Sequence, residues 1–236
     1  MSLRLSGGRR LQSPPGELAR PTAARVRQAV FNLLAPELVG CRWLDLCCGS
    51  GVMACEALQR GARQVVAVER DRRIAAVART NLAAVAGGLR RQEPPPALEV
   101  VQAEVLSWLA RPRPGDAASR QAGSMADGAS GDGGATPGAP GNVNGPGAAG
   151  DAVQDPARGF DLIYADPPWP ADLHSAIAAA VARGGWLGAG GTLVWECPSE
   201  RVPPPPQGWR LRDSRRYGGS TVVLLEADPE KLLAGG

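Results

Sequence analysis

The sequence of 236 residues is short of metal ligands, and it lacks any segment that could span a membrane. It has one histidine, His174, and its five cysteines show no Cys-x-x-Cys spacing, so a zinc site has few ligands to draw on. No apolar run approaches the roughly 18 residues of a transmembrane helix, and the first residues show no signal-peptide pattern. We therefore expect a cytoplasmic protein with reduced thiols, no metal and no membrane partner.

Aromatic residues and lysine are also scarce. Phe, Trp and Tyr make up 4% of the chain, and Lys231 is the only lysine. The wealth of Ala, Val and Leu suits an α/β protein with aliphatic layers, and the preference for Arg over Lys indicates a composition bias. A net charge of +3 argues neither for nor against a nucleic-acid partner.

Positive charge is concentrated near the start of the chain. Six arginines lie between Met1 and Arg27 against a single acid, Glu17, and they are Arg4, Arg9, Arg10, Arg20, Arg25 and Arg27. A basic arm before a near-neutral body is the usual electrostatic signature of contact with phosphate backbones. The alternative is a solvated, frayed terminus.

Strand and helix patterns alternate along the chain. The first five strand patterns cover, in order, Arg42–Leu46, Gln64–Glu69, Leu98–Gln102, Asp161–Ala165 and Gly190–Glu196. Two more form an antiparallel pair joined at Gly218-Gly219. Because helical stretches lie between the earlier strands, the sequence predicts an α/β, Rossmann-like, seven-stranded and mostly parallel sheet with helices on both faces and a C-terminal antiparallel hairpin.

The domain organisation follows from composition. Residues 1–40 form a basic N-terminal arm and a helix capped by Thr22, and residues 41–236 form the α/β domain. A break in structure is expected at Pro36–Gly40. Residues 111–158 consist mainly of Gly, Ala, Pro, Asp and Ser, so we expect a disordered insertion that is either an inert spacer or a binding segment.

A glycine-rich loop follows the first strand. Gly49 and Gly51 allow a sharp turn and close approach of a ligand, and Cys47 and Ser50 lie in the same loop. The N–H groups at the start of the next helix suit a carboxylate such as that of methionine, and Asp45 is placed near an ammonium or sulfonium group.

Acids follow the second and third strands. Glu69 is positioned to accept both ribose hydroxyls, a role that NAD-binding folds also give to an acid about 20 residues after the glycines. The G-x-G spacing without a third glycine weakens an NAD interpretation. Glu104 could accept from an adenine amino group or cap the next helix, and Asp71 is expected to be a cap.

The most specific motif is Asp166-Pro167-Pro168-Trp169, directly after the fourth strand. A carboxylate and the Pro167 carbonyl could each accept one N–H of an exocyclic base amine and expose its lone pair to a methyl donor. The two prolines stiffen the turn, and Trp169 offers a face for stacking an extruded base. The alternative is a rigid turn with a solvated Asp. His174, nearby, is expected at the helix surface.

The sequence resembles the bacterial 16S rRNA (guanine-966-N2) methyltransferases, which are class I enzymes dependent on S-adenosylmethionine. The segments that carry the resemblance are Leu5–Leu11, Arg20–Asn32, Leu44–Gly51, Glu56–Ala62 and Asp166–Trp169. It covers nearly everything except Arg111–Arg158. Cys47-Cys48 stand where the family usually has Phe-Ala.

The resemblance implies a substrate and a set of contacts. The substrate would be a guanine N2 amine of 16S rRNA in an assembling small ribosomal subunit, with bound ribosomal proteins as part of the recognition surface. The residues implied to lie beside the cofactor, the target base or the RNA phosphates are Arg9, Arg10, Arg20, Thr22, Arg25, Arg27, Asn32 and Trp169. We expect the enzyme to act as a monomer.

Three other functions stay open at this point. A DNA adenine-N6 methyltransferase also uses Asp-Pro-Pro with an aromatic residue, but it generally needs an added region to read the base sequence. A protein-glutamine methyltransferase would favour Asn at position 166. A non-catalytic RNA-binding assembly factor would keep the fold without turnover, although intact Asp45, Glu69 and Asp166 argue against it.

Overall fold

The computed structural model describes residues 3–14, 24–89, 94–113, 159–169 and 173–228. The helices in this part of the chain are α1 (Ala24–Leu33), α2 (Ala35–Leu38), α3 (Val52–Gln59), α4 (Arg72–Gly88), α5 (Val105–Leu109) and α6 (His174–Arg183). The strands are β1 (Arg42–Leu46), β2 (Gln64–Glu69), β3 (Ala97–Gln102), β4 (Phe160–Ala165), β5 (Leu187–Pro198), β6 (Trp209–Tyr217) and β7 (Ser220–Ala227).

The seven strands form one sheet in the order β3-β2-β1-β4-β5-β7-β6. The first five strands are parallel, and β7 pairs antiparallel with both β5 and β6. The sheet order reverses between β1 and β4, and ligands of open α/β sheets bind at such a point, beyond the carboxyl ends of the strands. The predicted architecture, including the terminal hairpin, is confirmed.

The core lies in two layers because the side chains of each strand alternate between the two faces of the sheet. Trp43 and Tyr164 face one layer, which α1, α3 and α4 cover, while Leu44 and Ile163 face the other, which α5 and α6 cover. All of β1 is buried, as expected for a central parallel strand that helices cover on both faces.

The structure differs from the sequence prediction between β1 and the helix before it. The short helix α2 occupies part of Pro36–Gly40, where a break was expected. Pro36 lies in the first turn of that helix, where a residue without an N–H is tolerated because the first N–H groups have no intrahelical partner. The chain turns at Gly40 instead, which has a φ of 77°.

Several sequence predictions fall outside the described residues, including the helix cap at Thr22 and nearly all of the insertion at residues 111–158. Met1–Arg111 and Gly159–Gly236 together make up one compact unit, and Pro112–Arg158 is not part of it. Among the described helices, none combines the length and apolarity that a membrane crossing requires.

Candidate active site

The two predicted loops lie next to each other at the same edge of the sheet. In the parallel pairing of β1 with β4, Asp45 is opposite Tyr164 and Leu46 is opposite Ala165. The glycine loop begins at Cys47 and the Asp-Pro-Pro-Trp loop begins at Asp166. The last paired residues before them, Leu46 and Ala165, lie side by side on strands that are roughly 4.8 Å apart. A ligand at one loop is within reach of a group held by the other.

Left-handed backbone conformations shape the glycine loop. Cys47, Gly49 and Gly51 have φ angles of 63°, 54° and 74°. Gly51 is the most constrained, because a Cβ there would lie 3.1 Å from the Cβ of Ala78. Cys47 is the only non-glycine residue with a positive φ among the described residues, which is an uncommon conformation for a side chain of its kind. Glycine at 49 and 51 is therefore a requirement of the turn itself.

Glu69 connects the glycine loop to the start of α4. Its Oε2 accepts from the backbone N–H of Gly49 at 3.0 Å, and its Oε1 accepts from that of Asp71 at 2.9 Å. The carboxylate is buried at the end of β2. Each oxygen has a further lone pair, so the arrangement leaves acceptors for a ribose while it fixes the loop.

Acidic groups are concentrated at this edge. Asp45 is 1% exposed, and its Oδ2 accepts from the Ala54 N–H of α3 at 3.0 Å. Burial raises the pKa of Asp45 well above its usual range, and the nearby carboxylates of Asp166 and Glu69 raise it further. Like charges held this close favour a cationic ligand, which would relieve their mutual repulsion.

The other two predicted acids cap helices. Glu104 accepts from the N–H groups of Leu106 and Ser107, and although burial alone would raise its pKa, these bonds outweigh that effect and lower it. The capping alternative for Glu104 is confirmed, and its contact with adenine stays a prediction. Asp71 caps α4 as expected.

The Asp-Pro-Pro-Trp loop follows β4, and buried residues precede and follow it. Pro167 is buried, whereas Asp166 and Trp169 are partly exposed. The Tyr164 hydroxyl donates to Glu196 Oε2 at 2.9 Å in a buried bond. The prediction of a surface His174 is wrong: its ring is 2% exposed at the start of α6, with Nε2 2.9 Å from the Glu196 carbonyl oxygen and the ring edge-on to Trp195.

The start of the chain folds back on itself. An isolated antiparallel bridge joins Arg4 and Arg10, Leu5 donates to the Arg9 carbonyl, and the side chains of Leu5 and Leu11 are buried in the core. The frayed-terminus alternative is therefore wrong for residues 3–14. Arg9 and Arg10 are exposed on this turn, and Arg9 also donates to the Ala84 carbonyl of α4.

Asn81 ties this turn to the glycine loop. It is buried in α4, and its amide donates to the carbonyls of Gln12 and Ser50 at 3.0 and 2.9 Å. Its Oδ1 accepts from the Gln12 N–H at 2.8 Å. One side chain thus sets the position of the basic arm relative to the glycine loop.

Arg27 requires a correction. It was predicted to contact RNA or the cofactor, but it is 4% exposed, pairs with Glu56 at 3.6 Å and donates to the Arg4 carbonyl at 2.6 Å. Arg27 lies on the same buried side of α1 as the apolar residues of that helix, and there it meets Glu56 of α3. Burial lowers the pKa of Arg27, and Glu56 opposes that effect.

The remaining predicted substrate residues have mixed outcomes. Arg25 and Asn32 are exposed on α1, where a substrate could reach them. Arg20 and Thr22 lie outside the described residues. Within the described ranges, no group of three or more His, Cys, Asp or Glu side chains is arranged to hold a metal ion.

Glu56, Asn81 and Glu196 are structural residues around the site to which the sequence analysis assigned no role, although Glu56 opens one of the segments that carry the resemblance. Glu56 could have been noticed, because it is the only charged residue in an otherwise apolar α3. An acid there has to pair if the helix is buried on all sides. Asn81 and Glu196 carry no comparable signal, since their partners are 69 and 32 residues away in sequence.

Replacing Glu69 with Ala should weaken cofactor binding about 10- to 150-fold, because the Gly49 N–H of the glycine loop loses a charged hydrogen-bond acceptor, an interaction that contributes about 1.5–3 kcal/mol. Isothermal titration with S-adenosylmethionine measures this directly. Glu99→Ala, on the neighbouring strand β3, is the control. Unchanged affinity in Glu69→Ala would show that the carboxylate does not organise the cofactor loop.

Comparison with known proteins identifies a family and its relatives. The model of the family described as "Conserved hypothetical protein 95" matches residues 5–104 and 147–226. Ribosomal RNA small subunit methyltransferase D of Escherichia coli is 26% identical over 224 residues, which are 94% of this chain and 87% of that protein.

Solved structures support the same assignment of fold. The Escherichia coli protein yhhF gives a TM-score of 0.65 at 24% identity, covering 97% of this chain and 99% of that one. The rRNA methyltransferase aviRa from Streptomyces viridochromogenes gives 0.56 at 18% identity, covering 96% and 92%. The predicted class I methyltransferase fold and the family resemblance are confirmed. The chain is a methyltransferase of the family described as Conserved hypothetical protein 95.

Proposed function

We propose that this protein transfers a methyl group from S-adenosylmethionine to the exocyclic N2 amine of a guanine in 16S rRNA of the small ribosomal subunit. The observation that carries the proposal is the placement of the two loops on adjacent strands at one acidic edge. The name of the Escherichia coli relative, a small-subunit rRNA methyltransferase, supports rRNA as the substrate class.

The charge at this edge favours a cationic donor over a dinucleotide. The carboxylates of Asp166 and Glu69 both raise the pKa of Asp45, after the larger effect of its burial. The pyrophosphate of NAD would place further negative charge beside these carboxylates, whereas S-adenosylmethionine brings an ammonium and a sulfonium group. Cys47, Gly49, Ser50 and Gly51 would line the donor, Glu69 would hold the ribose, and Glu104 would face the adenine.

The Asp-Pro-Pro-Trp loop would orient the target amine. When bound, S-adenosylmethionine supplies an electrophilic methyl group on a positively charged sulfur. Asp166 would accept one N–H of the guanine amine and the Pro167 carbonyl the other, so that the nitrogen lone pair points at the methyl carbon. Asp166 would accept the surplus proton only after the N–C bond has formed. Trp169 would stack on the base, which is worth about 1–3 kcal/mol.

The basic arm would hold the RNA backbone. Exposed Arg9 and Arg10 lie on a turn whose leucines are buried, so the backbone that carries these cations is anchored to the core. Asn81 connects the same turn to the glycine loop. Arg25, and Arg20 with Thr22 in the segment before α1, would complete this side of the substrate site.

Replacing both Arg9 and Arg10 with Gln should weaken RNA binding and flatten its salt dependence. Each phosphate contact contributes about 0.9 to the slope of log K against log salt for a duplex, so the slope should fall by about 2. Filter binding of a 16S rRNA fragment over a salt series gives the measurement. Arg210→Gln, whose cation is paired with Glu226, is the control. An unchanged slope in the double variant would reject the arm as a phosphate contact.

Radiolabelled S-adenosylmethionine offered with small subunits, free 16S rRNA and DNA in parallel tests the proposed function. We expect label in the rRNA of small subunits, recovered as N2-methylguanosine after digestion. Label in DNA as N6-methyladenine would establish the DNA methyltransferase instead. Cofactor or RNA binding without label in any substrate would establish a non-catalytic assembly factor.

A further inference from the structure

Glu196 contacts one residue before the Asp-Pro-Pro-Trp loop and one residue after it. Its carboxylate accepts from the Tyr164 hydroxyl, two residues before Asp166, and its backbone carbonyl lies 2.9 Å from Nε2 of His174, the first residue of α6. The chain therefore leaves β4 and enters α6 at two points that are fixed to one residue of β5. We call Tyr164, His174 and Glu196 the loop clamp.

The loop clamp is in the interior. Tyr164, His174 and Glu196 are each 3% exposed or less. Burial raises the pKa of the Tyr164 phenol well above its usual range, and the charges of Asp166 and Glu196 raise it further, so the phenol stays protonated and acts as the donor. A hydrogen bond to a charged acceptor in such surroundings is stronger and shorter than one at the surface.

Strand register places the clamp beside the reacting groups. Tyr164 is opposite Asp45 on one side and Val194 on the other, and Ala165 is opposite Trp195, so the next position on β5, Glu196, is level with Asp166. Tyr164 is paired with both Asp45 and Val194, and Glu196 is two residues after Val194. Because successive side chains of a strand point to opposite faces, Tyr164, Asp45 and Glu196 lie on the same face of the sheet. The edge of the His174 ring contacts Trp195, which adds a second fixed contact to the clamp.

We propose that Glu196 is a positioning residue that sets the geometry of the Asp166–Trp169 loop through its contacts with Tyr164, at the end of β4, and with His174, at the start of α6. This inference rests on the proposed function for its effect on turnover. The clamp acts through Asp166 and Pro167 and does not touch the base or the donor. Because the two proline positions are stiff, a shift of Tyr164 at the end of β4 moves the acceptors of Asp166 and Pro167 as a unit.

The test uses substitutions that remove the polar atoms of the loop clamp and keep side chains of similar size. Tyr164→Phe removes the phenol, and His174→Phe removes the ring N–H while it keeps an aromatic edge on Trp195. Glu196→Leu removes the acceptor, and Glu196→Gln keeps it as a neutral oxygen. Tyr217→Phe, in the other tyrosine of the chain, is the matched control.

Steady-state methylation of small subunits at a series of S-adenosylmethionine concentrations separates kcat from the KM for S-adenosylmethionine. We expect Tyr164→Phe and Glu196→Leu to lower the rate about 10- to 100-fold with an unchanged cofactor KM, since an error of about 1 Å in placing a reacting group can cost 100-fold. Glu196→Gln should restore most of the rate. If Gln is as poor as Leu, the negative charge rather than the bond is required, and the positioning role is overturned.

Hydrogen exchange of the free proteins provides a readout without substrate. The amides of Asp166 and Trp169 should exchange faster in Tyr164→Phe and His174→Phe than in the wild type or Tyr217→Phe, while those of β2 stay unchanged. Equal exchange at Asp166 and Trp169 in all proteins overturns the clamp. If the wild-type protein methylates nothing but loop exchange rises as expected, the proposed function fails and the clamp stands.

Discussion

Replacing Asp166 with Ala should lower methyl transfer by on the order of 10²- to 10⁴-fold while cofactor binding is largely kept. The carboxylate follows β4 directly and lies level with the start of the glycine loop, where it can accept from an amine presented to the donor. In the proposed mechanism, this replacement would deprive the target amine of an acceptor that directs its lone pair and of a late proton acceptor. Single-turnover rates with saturating cofactor, together with titration of the cofactor alone, measure the two effects separately.

Asp166→Asn and Asp213→Ala complete that experiment. Asn keeps one acceptor oxygen but cannot take the proton, so its rate should lie between those of the wild type and Asp166→Ala. Asp213 pairs with Arg215 on the outer strand β6, and its loss should leave the rate unchanged. Wild-type turnover in Asp166→Ala would remove this residue from the mechanism.

Replacing Glu56 with Ala should destabilise the fold by about 3–5 kcal/mol, the usual cost of leaving one member of a buried ion pair without its partner. Glu56 is fully buried, pairs with Arg27 and Arg60, and accepts from the Ser6 N–H of the basic arm at 3.0 Å. Arg27 would remain in the interior without its counter-charge. Urea denaturation followed by circular dichroism measures the change in the free energy of unfolding.

Two further variants distinguish charge burial from lost packing. The double replacement Arg27→Met with Glu56→Met removes both charges and keeps volume, and it should recover most of the stability, because apolar pairs often substitute for buried ion pairs at little cost. Glu226→Ala breaks an exposed pair with Arg210 and should cost at most about 1 kcal/mol. A Glu56→Ala protein as stable as Glu226→Ala would show that α3 tolerates an unpaired Arg27.

The sheet was predictable because its signals are local. Runs such as Arg42–Leu46 are buried throughout, and Gly218-Gly219 marks the hairpin between β6 and β7. The error at Pro36–Gly40, where a break was predicted and α2 is found, has a local cause as well. A proline in the interior of a helix disrupts it, but a proline in the first turn is compatible with the helix. The fifth strand was predicted over Gly190–Glu196, whereas β5 runs over Leu187–Pro198, and its start was missed because glycines at 188, 190 and 191 weaken the strand pattern there.

The candidate site could be predicted from the sequence only where a residue with a chemical role stands next to residues that a particular backbone turn requires. Gly49, Gly51 and the prolines are tied to particular turns, and their neighbours Asp45 and Asp166 come with them. Arg27 was misassigned because a charged residue near a basic arm looks like a ligand contact from sequence alone. Its pairing with Glu56 joins residues 29 positions apart. His174 was misassigned for the same reason, since its contact belongs to β5.

The described residues on either side of the insertion at 111–158 lie away from the edge of the sheet that carries Asp45 and Asp166. The chain enters β4 at Phe160, the amino end of the strand, whereas Asp166 follows the carboxyl end. Leu109, at the other junction, accepts from the Trp186 indole, and the Trp186 carbonyl accepts from the Phe160 N–H. Leu109 and Phe160 are thus joined through Trp186 at the end of β4 opposite to Asp166. We therefore expect that a reporter domain grafted between these two residues would leave the Asp-Pro-Pro-Trp loop in place.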